Sequence, residues 1–276
     1  MALFVNTNLS SINAQRHLDE SGDSLRTSLE RLSSGVRIND AFDDAAGLAI
    51  ADKLGRDVRV SAQAIRNAND GISALSIGEK SLGNVSSVLS RLSELASQSA
   101  SGTITDTQRS AIQNEFAALL SEIGRISNVT TFNGVQLLSA GTTVTLQVGL
   151  DGTSNSQISF TTVDGSVSGI LSVSQTSIAA SSQSSAQSAL GLLTSAIANV
   201  AQTRGTLGAT ESRLLQAVSL LRIAKESFAA AEGRIRDADV AAETANLTRG
   251  SILRQAGVAI LAQANQQPAL ALQLLR

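Results

Sequence analysis

The chain has no cysteine, tryptophan or tyrosine, and only one proline, one histidine and one methionine. Without cysteine there is neither a disulfide framework nor a thiolate metal site, and the composition suits the cytosol and the cell exterior equally. Six phenylalanines are the whole aromatic complement of 276 residues. That excludes a base-stacking platform for nucleic acid. It also leaves little bulk for a compact globular core, since one aromatic side chain buries about 150–250 Å². A net charge of −2 and a pI near 5.5 supply no basic field for nucleic acid. No apolar run reaches the ~18 residues of a membrane span; the best candidate, Ala256 to Ala262, stops at Gln263. The first ten residues have no basic start and no continuous apolar stretch, so no cleavable secretory signal is expected.

What is present is helical periodicity at both ends, with a Ser/Thr/Gly-rich middle. Small and aliphatic residues suit helices lying side by side. Asn6, Thr7 and Asn8 can cap a first helix running to about Leu32. Val5, Leu9 and Ile12 keep 4-3 spacing, and so do Leu18, Leu25, Leu29, Leu32 and Val36, but in a different phase. A coiled coil there would carry a break in register. Ser33-Ser34-Gly35 and Asn39-Asp40 interrupt the pattern. A second helix is expected after Asp43-Asp44, whose carboxylates favour a helix N-terminus. It carries a heptad stripe of Val58, Ile65, Ile72, Leu75, Leu82 and Leu89. Thr105 and Gln108 form a capping box that opens a third helix, with Ile112, Phe116, Leu119, Ile123 and Ile126 along its apolar face.

The period then changes to two. Asn133-Gly134 is a turn signal, and Val144, Leu146 and Val148 alternate with polar residues. Asp151-Gly152 is a second turn before Ile158 and Phe160, and Asp164-Gly165 is a third. The Ser-rich stretch to Ser188 reads as exposed loop with some strand. Helix returns near Ala186 with Leu193, Ile197, Val200, Leu207, Leu214, Val218, Leu221 and Phe228 in one register, and Arg204, Glu211 and Lys225 in the remaining seam positions. Polar seam residues cost stability and fix alignment. From Asp239 the pattern is apolar around much of the helix, including Leu247, Ile252, Leu253, Val258, Ile260 and Leu261, and Pro268 is expected to interrupt it. The fold class is therefore mainly α: a long antiparallel helical bundle or coiled coil with a small β-hairpin region. The end helices need neighbours to cover them.

Specific motifs narrow this further. Arg31-Leu32-Ser33-Ser34-Gly35 with Arg37-Ile38-Asn39, then Asp43-Asp44-Ala45-Ala46-Gly47-Leu48-Ala49-Ile50, closely resembles the amino-terminal signature of the bacterial flagellins. Arg66 to Ser73 and Thr131-Phe132-Asn133-Gly134 match further motifs of that family. So do Arg236-Asp237-Ala238-Asp239, Gln255-Ala256-Gly257, Leu261 to Gln266 and Leu274-Leu275-Arg276 at the carboxy end. The resemblance implies a subunit that self-associates into the extracellular flagellar filament, exported by the flagellar type III pathway, and of a minimal type with little or no outer domain. It implies an inner layer built from 1–43 and 236–276 and a bundle domain over 44–235, with β-hairpins near 132–180. Inner-core contacts between subunits are then expected at Val5, Leu9, Ile12, Leu25, Leu29, Leu32, Leu247, Ile252, Val258 and Leu261. An export chaperone and the flagellar cap and junction proteins are the implied partners. So is a Toll-like receptor, whose contact positions in the family fall on Arg91, Leu95 and Glu115, flanked by departures at Ser93 and Ser97. The alternative for those three is contact with a neighbouring subunit, and both readings stay open. A hook–filament junction protein and a helical-hairpin signalling module are the rival functions; the latter needs a helical midpoint, whereas this one is β-patterned.

No catalytic, cofactor or metal constellation is expected. His17 has no second histidine or thiol with which to share a metal. Asp43-Asp44 reads as capping. Gly165 and Gly169 lack the strand–glycine–helix context of a phosphate loop, and no His-Glu-x-x-His is present. The Ser/Thr stretch of 153–185 is the expected place for O-linked sugars.

Overall fold

The computed structural model describes residues 7–139, 141–171 and 179–274, with side chains described as far as 266. Its elements in order are α1 (Leu9–Ser34), α2 (Ala45–Ala100), α3 (Asp106–Val129), β1 (Thr131–Phe132), β2 (Val135–Gln136), β3 (Thr143–Gln147), a short 3-10 turn (Ser154–Ser156), β4 (Gln157–Thr161), α4 (Val167–Leu171), α5 (Gln183–Arg236) and α6 (Val240–Leu274). The chain divides into two compact units, Met1–Arg56 with Ser227–Arg276 and Asp57–Glu226. These boundaries fall inside α2 and α5, not at the interruptions near 43 and 236 where the sequence pattern changes.

In the first unit, α1 begins at Asn8, whose side chain accepts the Ser11 N–H. It ends at Gly35, which takes the left-handed conformation (φ 73°) and returns its N–H to the Arg31 carbonyl, a backbone turn that glycine adopts without steric cost. The chain then passes antiparallel to the segment after α5. Arg37 N–H donates to the Arg236 carbonyl at 2.6 Å, and Ala238 N–H to the Gly35 carbonyl at 3.0 Å, around a Val36–Asp237 bridge. Two motifs some two hundred residues apart are thus one structural piece.

Beyond that bridge α1 and α6 run side by side with close backbones. The closeness has a simple cause. Gly250, Gly257 and Ala264 recur every seven residues on α6, and Leu25 and Leu18 of α1 stand opposite the two glycines. A methyl group placed on Gly250 would sit 3.3 Å from Leu25 Cδ1, and one on Gly257 3.2 Å from Leu18 Cδ1. Polar ties complete the seam: Ser21 Oγ donates to the Gly250 carbonyl, and Ser11 Oγ to Asn265 Oδ1 at 2.8 Å. The expected break at Pro268 is not observed, because α6 continues to Leu274. Proline has no N–H, so the carbonyl four residues back loses its helical donor. That carbonyl belongs to Ala264, and Asn8 Nδ2 donates to it at 2.8 Å. One side chain caps α1 and satisfies the acceptor that Pro268 leaves open.

The second unit is built on leucine. Leu75, Leu82, Leu89 and Leu92 of α2, Phe116, Leu120 and Ile123 of α3, and Leu193, Val200, Leu207 and Leu214 of α5 form a continuous core. The α3 face differs slightly from the strict 4-3 reading: Leu120 is buried and Leu119 half-buried, as a 3.6-residue period drifts from a 3.5 repeat. The Thr105–Gln108 capping box is present. Buried Arg109 closes the turn before it, donating from Nη2 to the carbonyls of Ser101 and Ile104. Within the α5 seam Arg204 reaches Glu79 of α2, its Nε donating to Oε1 at 2.9 Å.

The hairpin β1–β2 turns through Asn133 and Gly134, both at positive φ (49° and 81°), the two-residue turn that Asn-Gly favours. β3 pairs antiparallel with β4, setting Val144 opposite Phe160 and Leu146 opposite Ile158. Their shared face packs toward α2, where Gly71 leaves room for Leu146. The expected Asp151-Gly152 turn is held by the Asp151 carboxylate, which accepts from the hydroxyls of Ser156 and Thr153 and from the Thr153 N–H. The Ser-rich stretch is not all loop: Val167, Ile170 and Leu171 of α4 are buried, α5 already begins at Gln183, and 172–178 lies outside the described residues.

Two expected outcomes follow from the first unit. Gly257→Ala should change stability by no more than about 1 kcal/mol, because the gain in helix propensity, roughly 1 kcal/mol, offsets a close contact with a leucine tip that can turn aside. Gly257→Leu cannot be accommodated and should strip amide protection from α1, read by hydrogen exchange. The second concerns pH. Asp43 is held below its ordinary 3.8 by the N–H groups of Asn39 and Asp40, aided by Arg31. A depressed carboxyl stabilises above its unfolded pKa, near 3.9, and that contribution fades as pH falls through the lower folded value. Amide exchange at Asn39 and Asp40 should therefore stay slow down to about pH 4 and quicken below it; Asp43→Asn should quicken it at neutral pH.

Candidate functional site

The pairing of α1 with α6 decides which apolar side chains remain open. Leu25 and Leu32 are half-buried, and so are Leu247 and Leu261. Leu9 (60% exposed), Ile12 and Leu29 of α1, and Ile252 (60%), Leu253, Val258 and Ile260 of α6 face outward. The phase break in α1 thereby gains a meaning. Leu18 and Leu25 belong to the seam with α6, whereas Leu9 and Ile12, and Leu29 of the second phase, are exposed. Val5 lies outside the described residues. Val240, not singled out from its spacing, joins the open set. Scattered apolar residues on a surface are ordinary, but here large apolar side chains recur along both helices. In the second unit α5 leaves Leu215, Leu220 and Ile223 exposed as well.

The other candidate surface sits on α2 and α3. Arg91 donates from Nε and Nη2 to Glu115 Oε1 at 3.1 and 2.8 Å, and from Nη1 to Glu94 Oε2 at 2.9 Å. Hydrogen bonds to Glu94 and Glu115 raise its pKa above the ordinary arginine value. Leu95 differs from the expectation of a contact residue: it is only 2% exposed, in the core with Leu92. Buried in the core of the second unit, its side chain is not open at the surface. It supports the surface from beneath.

The remaining polar candidates act structurally. Asp44 Oδ1 accepts the Gly47 N–H at 2.9 Å at the start of α2. Asp43 Oδ2 accepts the N–H groups of Asn39 and Asp40 at 3.1 and 3.3 Å. His17 is exposed beside Glu20 at 3.1 Å. Among the described residues no group of His, Cys, Asp or Glu could hold a metal ion, and no helix is long and apolar enough to cross a membrane.

Comparison with known proteins agrees with this geometry. Residues 5–143 match the family model of the bacterial flagellin N-terminal helical region, and residues 190–275 that of the C-terminal helical region. A flagellin of Halalkalibacterium halodurans is 42% identical, covering 99% of this chain and 100% of its own length. The flagellar filament 33 kDa core protein of Treponema phagedenis is 37% identical, with coverage of 99% and 100%. Among solved structures, a Bacillus cereus flagellin superposes with a TM-score of 0.50 at 27% identity, covering 56% of this chain and 88% of that one. A Vibrio parahaemolyticus protein described as flagellar hook-associated gives 0.59 at 17% identity over 71% of this chain and all of that one, a likeness of fold alone. With both helical ends matched in order and relatives aligned over their full length, the chain belongs to the bacterial flagellin family.

Proposed function

We infer that the chain is a structural subunit of the extracellular flagellar filament, and that the open apolar faces of α1 and α6 are where one subunit meets the next. The observation that carries this is the division of labour on those helices. Glycine faces the partner helix, while Ile252, Val258 and Ile260 are more than half exposed among the described residues. An interface between unlike faces of identical chains generates an open helical polymer when its rotation does not close into a ring. Relatives named flagellin and flagellar filament core protein match from end to end, which favours the filament over the hook–filament junction. The chemistry of such a subunit is cohesion.

The finer roles are part of the same proposal. Leu9, Ile12, Leu29, Ile252 and Val258 make the inner contacts, with Leu25, Leu32, Leu247 and Leu261 half-covered by the intrachain seam. Export chaperone, cap and junction proteins would meet the same open helices before or at the filament ends. Recognition by a Toll-like receptor would use the ion-paired Arg91–Glu115 surface, with Leu95 holding it in place.

Deleting 240–276 should leave a soluble bundle that forms no filaments; filaments from that truncation under electron microscopy would overturn the assignment of the tail. Ile252→Glu should keep the helical circular dichroism of the single chain and raise the critical concentration for assembly about tenfold or more. Burying an aliphatic side chain of this size is worth about 1.5–3 kcal/mol, and 1.4 kcal/mol is a factor of ten. Light scattering across a concentration series reads the shift, and an unchanged threshold would contradict the role of that face.

A further inference from the structure

Phe42 stands apart from every other described aromatic. It lies in the turn before α2 and is 99% exposed, whereas Phe116 and Phe160 are buried and Phe132 and Phe228 half-buried. In a chain with so few aromatics, one ring is held wholly in water. The turn that carries it is well tied. Asp43 N–H donates to the Asp40 carbonyl at 3.1 Å, Asp43 Oδ2 takes the N–H groups of Asn39 and Asp40, and Asn39 Nδ2 donates to Ser34 Oγ at 3.1 Å. The neighbouring carboxylates of Asp43 and Asp44 are engaged with backbone N–H groups, so the ring is what the turn presents. A backbone tied beforehand loses little conformational freedom when the ring it carries is bound.

The second unit contains a matching hole. Gly71, Ala74, Phe132, Val144, Leu146 and Phe160 line a cavity of about 120 Å³, with Asp70, Asn133 and Val135 at its edge. Its wall is apolar, and its size suits one aromatic ring: an apolar cavity of roughly 150 Å³ stays dry and takes up benzene. Phe132 and Phe160 supply ring faces and edges for an offset or edge-on aromatic partner.

We propose that Phe42 of one subunit inserts into the Gly71–Leu146–Phe160 cavity of a neighbouring copy, as a knob-and-hole contact of the filament. The occupant is a second copy because, among the described residues, the exposed ring and the ring-sized apolar cavity belong to different units of one chain, and a knob that fits a hole elsewhere on an identical chain makes the heterologous contact from which fibres grow. The contact rests on the reading of the chain as a self-assembling subunit and adds a specific locus to it.

The absence of cysteine makes the test direct. Copies carrying Phe42→Cys and copies carrying Val135→Cys, each diluted into unmodified chain so that filaments form, are mixed, assembled and treated with a short bis-maleimide. An adduct joining the two variants, identified by peptide mass, is the expected result. In parallel, Phe42→Ala should fold like the unmodified chain by circular dichroism and assemble with a critical concentration raised about 30-fold, equivalent to about 2 kcal/mol at 1.4 kcal/mol per tenfold. Phe42→Leu should recover most of the loss. Absence of the adduct in well-formed filaments, or an unchanged threshold for Phe42→Ala, overturns the contact while leaving the subunit assignment intact. Failure of the unmodified chain to polymerise at all would strike the subunit assignment itself.

Discussion

Everything outward on the first unit follows from one packing choice, leucine on α1 seated over glycine on α6. Gly250 and Gly257 let Leu25 and Leu18 approach the α6 backbone, so the helices pair through a narrow strip and not through interlocking large side chains. The large residues of α6 must then occupy the rest of its circumference, where Leu253 and Ile260 are more than half exposed. A leucine-on-leucine seam would have consumed those residues internally. Close pairing and an apolar exterior are consequences of the same three small positions.

The pairing also has to overcome distance along the chain. Closing a flexible loop of some 240 residues costs about 5 kcal/mol by the logarithmic estimate, more than a few serine hydroxyls return. The bridge between Val36 and Asp237 changes that sum. Backbone hydrogen bonds from Arg37 to Arg236 and from Ala238 to Gly35, with Arg236 lying 3.6 Å from Asp52, fix the roots of both helices next to each other. From there α1 and α6 zip as a local hairpin would. Asn8 at the far end closes the zipper by capping one helix and serving the carbonyl freed by Pro268 in the other. The second unit uses polar contacts differently. The Arg204–Glu79 pair is about a third exposed, so it adds at most about 1 kcal/mol. Its value lies in register, since a seam of repeated leucines looks the same after a seven-residue slip and an ion pair does not.

Much of this was legible in the residues. The Thr105–Gln108 box, the Asn133-Gly134 turn, the alternation that became β3 and β4, and the α5 heptad all write local physics into local sequence. What was not legible depends on residues far apart. Gly250 and Gly257 read as weak helix formers until Leu25 and Leu18 stand opposite. Pro268 reads as a stop until Asn8, some 260 positions earlier, supplies a donor. Leu95 shares a surface motif with Arg91 and Glu115, yet the heptad that contains Leu92 turns it inward. Phe42 had no periodicity to announce it, because a single residue in a turn belongs to no pattern; only its exposure in three dimensions sets it apart.

That contrast bears on how a chain of this kind combines strength with order. The open residues of α1 and α6 are mostly half-covered, so each contributes only part of the burial free energy of its side chain, and area alone does not fix affinity. Cohesion spread over many partial contacts tolerates change, but it discriminates poorly between one registration of neighbours and the next: sliding a repeating apolar helix by a turn exchanges one aliphatic contact for another. Register therefore has to come from features that occur once. On this chain the feature proposed for that role is the isolated ring of Phe42 on its tied turn. On the proposed reading, aliphatic repeats supply the attraction and the singular ring determines where it acts.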